Sequence, residues 1–177
     1  NHLYHNGIYE YILFLMLKFM PIRNEIGTLI YIKNKDFKEM SYKDKEHKNY
    51  LVVGKQMTIH RYNYKTFATH GPKIHTIDNA GLRKEIKRHI KENEIEPNSP
   101  MFTFNGRPMT ENDVSHRLSI ISDKQLGIKL STSSIIKIII NDKLDKITTD
   151  IDKRQYLEEV GNIRGTDVKT LVTYYMK

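Results

Sequence analysis

A chain of 177 residues with a formal net charge of +8 can bury one sizeable core and is too short to favour two domains. Its basic surplus favours an anionic partner, with a merely Lys-rich solvated surface as the plainer alternative. Cys is absent, which excludes disulfides and thiolate metal sites and is compatible with a reducing compartment.

Residues 4–19 are apolar nearly all round, the pattern of a core helix, and Pro21 ends it. The most apolar part, residues 11–17, is far shorter than the roughly 18–20 residues that span a bilayer, so no membrane partner is expected. The start is abrupt and lacks Met, compatible with a fragment missing an N-terminal domain. Residues 28–32 fit a short strand or a helix continuation equally, and 33–48 read as a charged loop or frayed helix.

Three runs rich in Val, Ile, Thr and Tyr (50–53, 57–62 and 73–77) read as strands, with Gly54 and the Gly71-Pro72 pair marking turns. A helix over 79–93 turns Leu82, Ile86 and Ile90 inward and Arg83, Lys84, Lys87 and Arg88 outward. Residues 97–100 connect to a helix over 110–123 that Thr110 and Asp113 cap. Further helices start at Ser131 or Thr132, at Asp150 or Asp152, and at Thr166 or Asp167. Strands early and helices thereafter, with no repeat, define an α+β pattern in one domain, 1–177.

The chain's last stretch, Arg164-Gly165-Thr166-Asp167-Val168-Lys169-Thr170-Leu171-Val172-Thr173-Tyr174-Tyr175, resembles the closing motif of tyrosine recombinases. The likeness is to the branch of crypton transposons and large-DNA viruses. Upstream, Tyr64-Lys65-Thr66 followed by Gly71-Pro72-Lys73-Ile74-His75-Thr76-Ile77 resembles the hairpin that carries the family's general-acid Lys. Met20-Pro21-Ile22-Arg23-Asn24-Glu25-Ile26 is similar to the start of the catalytic domain. Ser131-Thr132-Ser133-Ser134-Ile135-Ile136-Lys137 falls where the family has H-x-x-R.

The resemblance implies a mainly helical domain with a small antiparallel sheet. It also implies a 3′-phosphotyrosine chemistry that uses neither metal nor cofactor. Tyr174 becomes the nucleophile, with Tyr175 as its rival, Lys65 the general acid and Arg23 the phosphate clamp. A Tyr hydroxyl has a pKa of about 10 and must shed its proton as it attacks. Charge builds meanwhile on phosphoryl oxygens that fixed guanidinium groups stabilise best.

Three departures stand out. Ile136 occupies the second Arg position, Ser133 a His position, and Thr166 the His after Gly165. Arg23 itself is one residue past the expected register, a rotation of about 100° on a helix. Lys137 beside Ile136 offers charge without bidentate geometry. These losses point to weakened or lost strand transfer.

The basic helix face of Arg83, Lys84, Lys87 and Arg88, with Lys55, Arg61 and Lys65, forms a candidate phosphate-tracking stripe on duplex DNA, and Lys73, Lys137 and Thr166 are further candidate DNA contacts. The resemblance further implies a homo-oligomer built through the C-terminal helix, and an intracellular place of work in a nucleus, viral factory or virion. The alternative is a non-enzymatic structural or assembly protein on the same fold. His70 and His75 flank a turn without metal-ligand spacing, and no phosphate-binding Gly loop is present.

Overall fold

A computed structural model describes the backbone of residues 2–175 and the side chains of residues 10–173. Helix α1 (His2–Phe19) buries Ile12, Leu13, Met16 and Leu17 against α5 (Ala80–Glu92) and α7 (Thr132–Asp145). Each such side chain removed from water contributes about 1.5–3 kcal/mol. The helix closes with the Met20 N–H donating to the Met16 carbonyl at 2.7 Å, and Pro21 follows because it cannot continue the ladder. A 3-10 turn (Asn24–Thr28) then leads into β1 (Leu29–Lys33), so residues 28–32 resolve toward strand.

The sheet has the order β1-β2-β3-β4, completed by β2 (Asn49–Val53), β3 (Met57–Arg61) and β4 (Lys73–Thr76). It is mixed, a correction to the expected antiparallel sheet: β1 and β2 run parallel, and the other pairs antiparallel. A parallel pair needs a crossover of a dozen or so residues. The segment read as loop or frayed helix supplies it, folding into α2 (Asn34–Glu39) and α3 (Tyr42–Lys45).

Side chains alternate across the sheet. Leu51, Met57 and Ile59 join the main core, while Ile32, Tyr50 and Val52 meet Phe37 of α2 on the other face. Between β3 and β4 lies a single-turn helix, α4 (Phe67–His70).

Caps read in the sequence set the helix starts. Asn79 accepts from the Leu82 N–H at 2.8 Å, and Thr110 and Asp113 form a reciprocal capping box for α6 (Glu111–Leu126). Ser131 accepts from Ser134 at the start of α7; α8 (Asp150–Arg164) begins at the expected Asp150, with its cap supplied by Thr149, one residue earlier, which accepts from the Asp152 N–H. A short hairpin, β5 (Thr103–Phe104) with β6 (Arg107–Pro108), precedes α6.

Helix α7 runs on to Asp145, because Ile136, Ile140 and Leu144 continue one buried stripe while Asp142 and Lys143 face solvent. The last helix, α9 (Val168–Tyr175), is pinned by the fully buried Leu171. The whole is α+β and 57% helical. No helix among the described residues is long and apolar enough to cross a membrane.

Candidate functional site

Five segments far apart in sequence meet around one cleft of about 550 Å³. The turn after α1 brings Arg23 and Glu25, and the connection after β3 brings Lys65. The start of α6 adds Glu111, the first turns of α7 add Thr132 and Lys137, and the α8–α9 junction adds Arg164 and Thr166.

The floor is built on Arg61. Its parity along β3 matches Met57 and Ile59, so it points inward, and it is 0% exposed. One guanidinium nitrogen donates to Glu25 Oε1 at 2.6 Å. Another lies 3.0 Å from His75 Nε2 and also donates to the Ile163 carbonyl. The Tyr64 ring covers it, with Cζ 4.8 Å from the ring centroid. This one side chain therefore ties the 3-10 turn, strands β3 and β4, and the end of α8 together. A guanidinium so enclosed cannot touch a duplex, and its place in the DNA stripe is corrected to structural.

Around that hub the neighbouring contacts fix the functional side chains. Thr66, next to Lys65, donates to the Gly165 carbonyl at 2.7 Å, and Tyr64 donates to the Gly71 carbonyl at 2.6 Å. Gly165 closes α8 at φ 63°, and a Cβ there would meet Thr66 Oγ1 and the Tyr64 ring at 2.8 Å. Only glycine satisfies both the left-handed turn and the close approach. Arg164 donates to the Pro21 carbonyl at 3.0 Å, linking the α8 end to the turn that carries Arg23. Lys65 is thus exposed on a clamped turn at the cleft wall.

Of the residues nominated from sequence, Arg23, Lys65, Lys137 and Thr166 line this cleft. Lys73 sits outside it and donates to Asn162 Oδ1 at 2.8 Å. Arg83 donates to the carbonyls of Ile77 and Asp78 at 2.8 and 2.7 Å, where it caps the strand end that precedes α5. Lys55 in the β2–β3 turn and Lys87 on α5 are exposed and line none of it. Lys55, Lys73, Arg83 and Lys87 thus stand outside the cleft lining. The backbone of Tyr174 lies one turn beyond Thr170, another lining residue. The side chains of Tyr174 and Tyr175 lie outside the described residues.

Sequence reasoning missed Arg164, Glu111 and Thr132. Arg164 immediately precedes the Gly165-Thr166 motif, which was a usable signal. At a helix C-terminus, however, a basic residue also reads as complementing the dipole. Ile136 is 1% exposed at the cleft wall, so the apolar substitution is packed into the core.

Four cationic side chains face two carboxylates here, and Glu25 is already engaged by Arg61. Glu111 is pushed up by burial and by the charge of Glu25, with Arg23 opposing. The remaining positive excess suits an anion. Among the described residues no three His, Asp or Glu side chains come together as a metal site would need.

His75 accepts from Arg61 as a neutral imidazole. Burial, then the charges of Arg61 and Lys73, then His60, push it down to about 4. Because the folded value lies below the unfolded value of about 6.5, the unfolded chain binds more protons between them. The associated stability is complete above that unfolded value and drains away as pH falls through about 4. The full shift corresponds to up to about 3 kcal/mol. Urea midpoints should therefore drop between pH 7.5 and 4.5, and His75→Gln should flatten the drop by removing one titrating group. An unchanged slope in that variant would assign the acid sensitivity elsewhere, first to His60, also lowered to about 4 by burial and then Lys45.

No protein-family model, curated protein or solved structure matches this chain.

Proposed function

We propose that the cleft receives a backbone phosphate of duplex DNA, and that the chain is a tyrosine-recombinase-like domain with weakened or lost strand-transfer activity. One observation carries the reading. Arg23, Lys65, Lys137 and Thr166 were nominated separately from a motif resemblance, and they line a single positively charged cleft.

In the reaction that the resemblance implies, the Tyr174 hydroxyl gives up its proton to solvent, its oxygen forms a bond to phosphorus, and the bond from phosphorus to the 5′ oxygen breaks. Lys65 supplies the leaving oxygen with a proton, and a 3′-phosphotyrosine remains. Arg23 neutralises the non-bridging oxygens. Thr166 can donate a hydrogen bond to phosphate but is no base near neutrality, and Ile136 contributes no charge. Binding is thus better provided for than chemistry. A second copy docked through α9 and a DNA-containing compartment (nucleus, viral factory or virion) belong to the same proposal.

The test is a duplex titration across salt. Each phosphate neutralised lowers the slope of log K against log salt by about 0.9. Engagement of the cleft cations predicts a slope of about −3 or steeper, and Arg23→Gln or Lys65→Gln should each make it shallower by about 1. Affinity that ignores salt would instead favour the structural or assembly role.

A further inference from the structure

We infer that the first turn of α7 is a discrete phosphate seat, in which Thr132 Oγ1 and the helix-start amides hold a phosphoryl oxygen while Arg23 and Arg164 balance its charge. The inference rests on the cleft reading above and adds which atoms grip the phosphate and why Ile136 is tolerated.

Helix α7 is 14 residues long, so its start carries the partial positive charge of a well-formed helix. The cap Ser131 Oγ takes the Ser134 N–H at 3.1 Å, and Ser131 to Ser134 line the cleft. First-turn amides have no carbonyl within the helix to donate to. By itself that would be an ordinary helix end.

The second observation is Thr132. It is 5% exposed, lines the cleft, and its Oγ1 has no hydrogen-bond partner. Buried hydroxyls are nearly always partnered, so an orphan just beneath the surface of a residue that lines the cleft marks the place of a missing partner. Arg23 repeats the pattern, with a buried Nε that has no partner beside the same cleft.

Arg164 brings a second guanidinium to the cleft, from α8 rather than from α7. Thr132 stands one helical turn before Ile136, on the same face. The seat therefore supplies dipole and hydroxyl close to where the resemblance would have put an arginine. Helix starts bind phosphate through this combination of oriented N–H groups and partial charge.

The experiment titrates inorganic phosphate into the full 177-residue chain at pH 7.5, read by amide NMR shifts, and repeats the titration with duplex DNA. Saturable shifts at Thr132 and Ser133 are expected. Thr132→Val should weaken phosphate at least 5-fold, while leaving the melting temperature without phosphate unchanged or higher. Arg23→Gln, outside the core, should weaken phosphate likewise and serves if the first variant folds poorly.

Shifts spread over the exposed lysines of α5, or a Thr132→Val chain that binds phosphate like the wild type, would overturn the seat. Phosphate at Thr132 and Ser133 without duplex affinity upholds the seat and rejects the DNA reading. Duplex binding indifferent to Thr132→Val does the reverse.

Discussion

Glu25→Ala should destabilise the protein by about 3–5 kcal/mol, more than any exposed ion pair in the chain can contribute. The cost comes from what is left behind. Arg61 is fully enclosed, and its charge is matched by Glu25 at 2.6 Å with both side chains out of water. Removing one partner of such a pair strands the other charge in a medium that solvates it poorly. His75 cannot replace the carboxylate, because burial, reinforced by the charge of the same guanidinium, holds that imidazole neutral.

Exposed pairs such as Lys146–Asp142 and Arg154–Glu158 should contribute at most about 1 kcal/mol each, since water screens them and their side chains pay entropy to meet. The sharper form of the prediction is a double-mutant cycle. Glu25→Ala with Arg61→Met removes both charges and refills the volume, so it should recover much of the loss seen in Glu25→Ala alone. Urea denaturation of the four chains measures it. Strict additivity would mean that the pair is not the unit holding the fold.

Function should fall with it. Arg61 reaches Glu25 beside Arg23, His75 on β4, and the Ile163 carbonyl at the end of α8. Loosening that knot lets the turns bearing Arg23, Lys65 and Thr166 drift apart. Duplex affinity of Glu25→Ala should thus drop even under conditions where the chain stays folded, although the substitution removes a negative charge.

Much of this architecture was legible because local chemistry decides it. Asn79, Thr110 and Ser131 each announce a helix start, and each is a working cap. The strand runs were equally plain. The parallel β1–β2 pair was not, because nothing in a charged segment such as 34–48 fixes whether it turns back or crosses over.

Arg61 is the instructive miss. Its parity with Met57 and Ile59 already pointed it inward, but Arg usually stays at the surface. Only its partner, 36 residues away, makes burial affordable. Thr132 escaped for a related reason: a threonine beside a helix start reads as part of the cap, and its orphaned hydroxyl is a property of the assembled cleft.

On a nicked suicide duplex, wild-type protein should accumulate covalent adduct no faster than Tyr174→Phe. A fixed donor aimed at developing phosphoryl charge is worth roughly 3–4 kcal/mol, or 10²–10³ in rate. On the proposed recombinase-like reading, Ile136 and Thr166 stand where two such groups would be, which predicts a combined deficit of roughly 10⁴–10⁶ against an intact site.

The two losses should not be equally reparable. Thr166 is half-buried and lines the cleft, so Thr166→His adds an imidazole at the cleft wall rather than in the core. Ile136 belongs to the main core, so Ile136→Arg would insert a charge among aliphatic side chains and destabilise the fold. If Arg164 and the α7 start already hold the phosphate, Thr166→His alone should yield a slow adduct that depends on Tyr174, whereas Ile136→Arg should yield none. Adduct in the wild type would show that the cleft is catalytically complete as it stands. Adduct restored only by arginine at position 136 would show that the phosphate was never properly held.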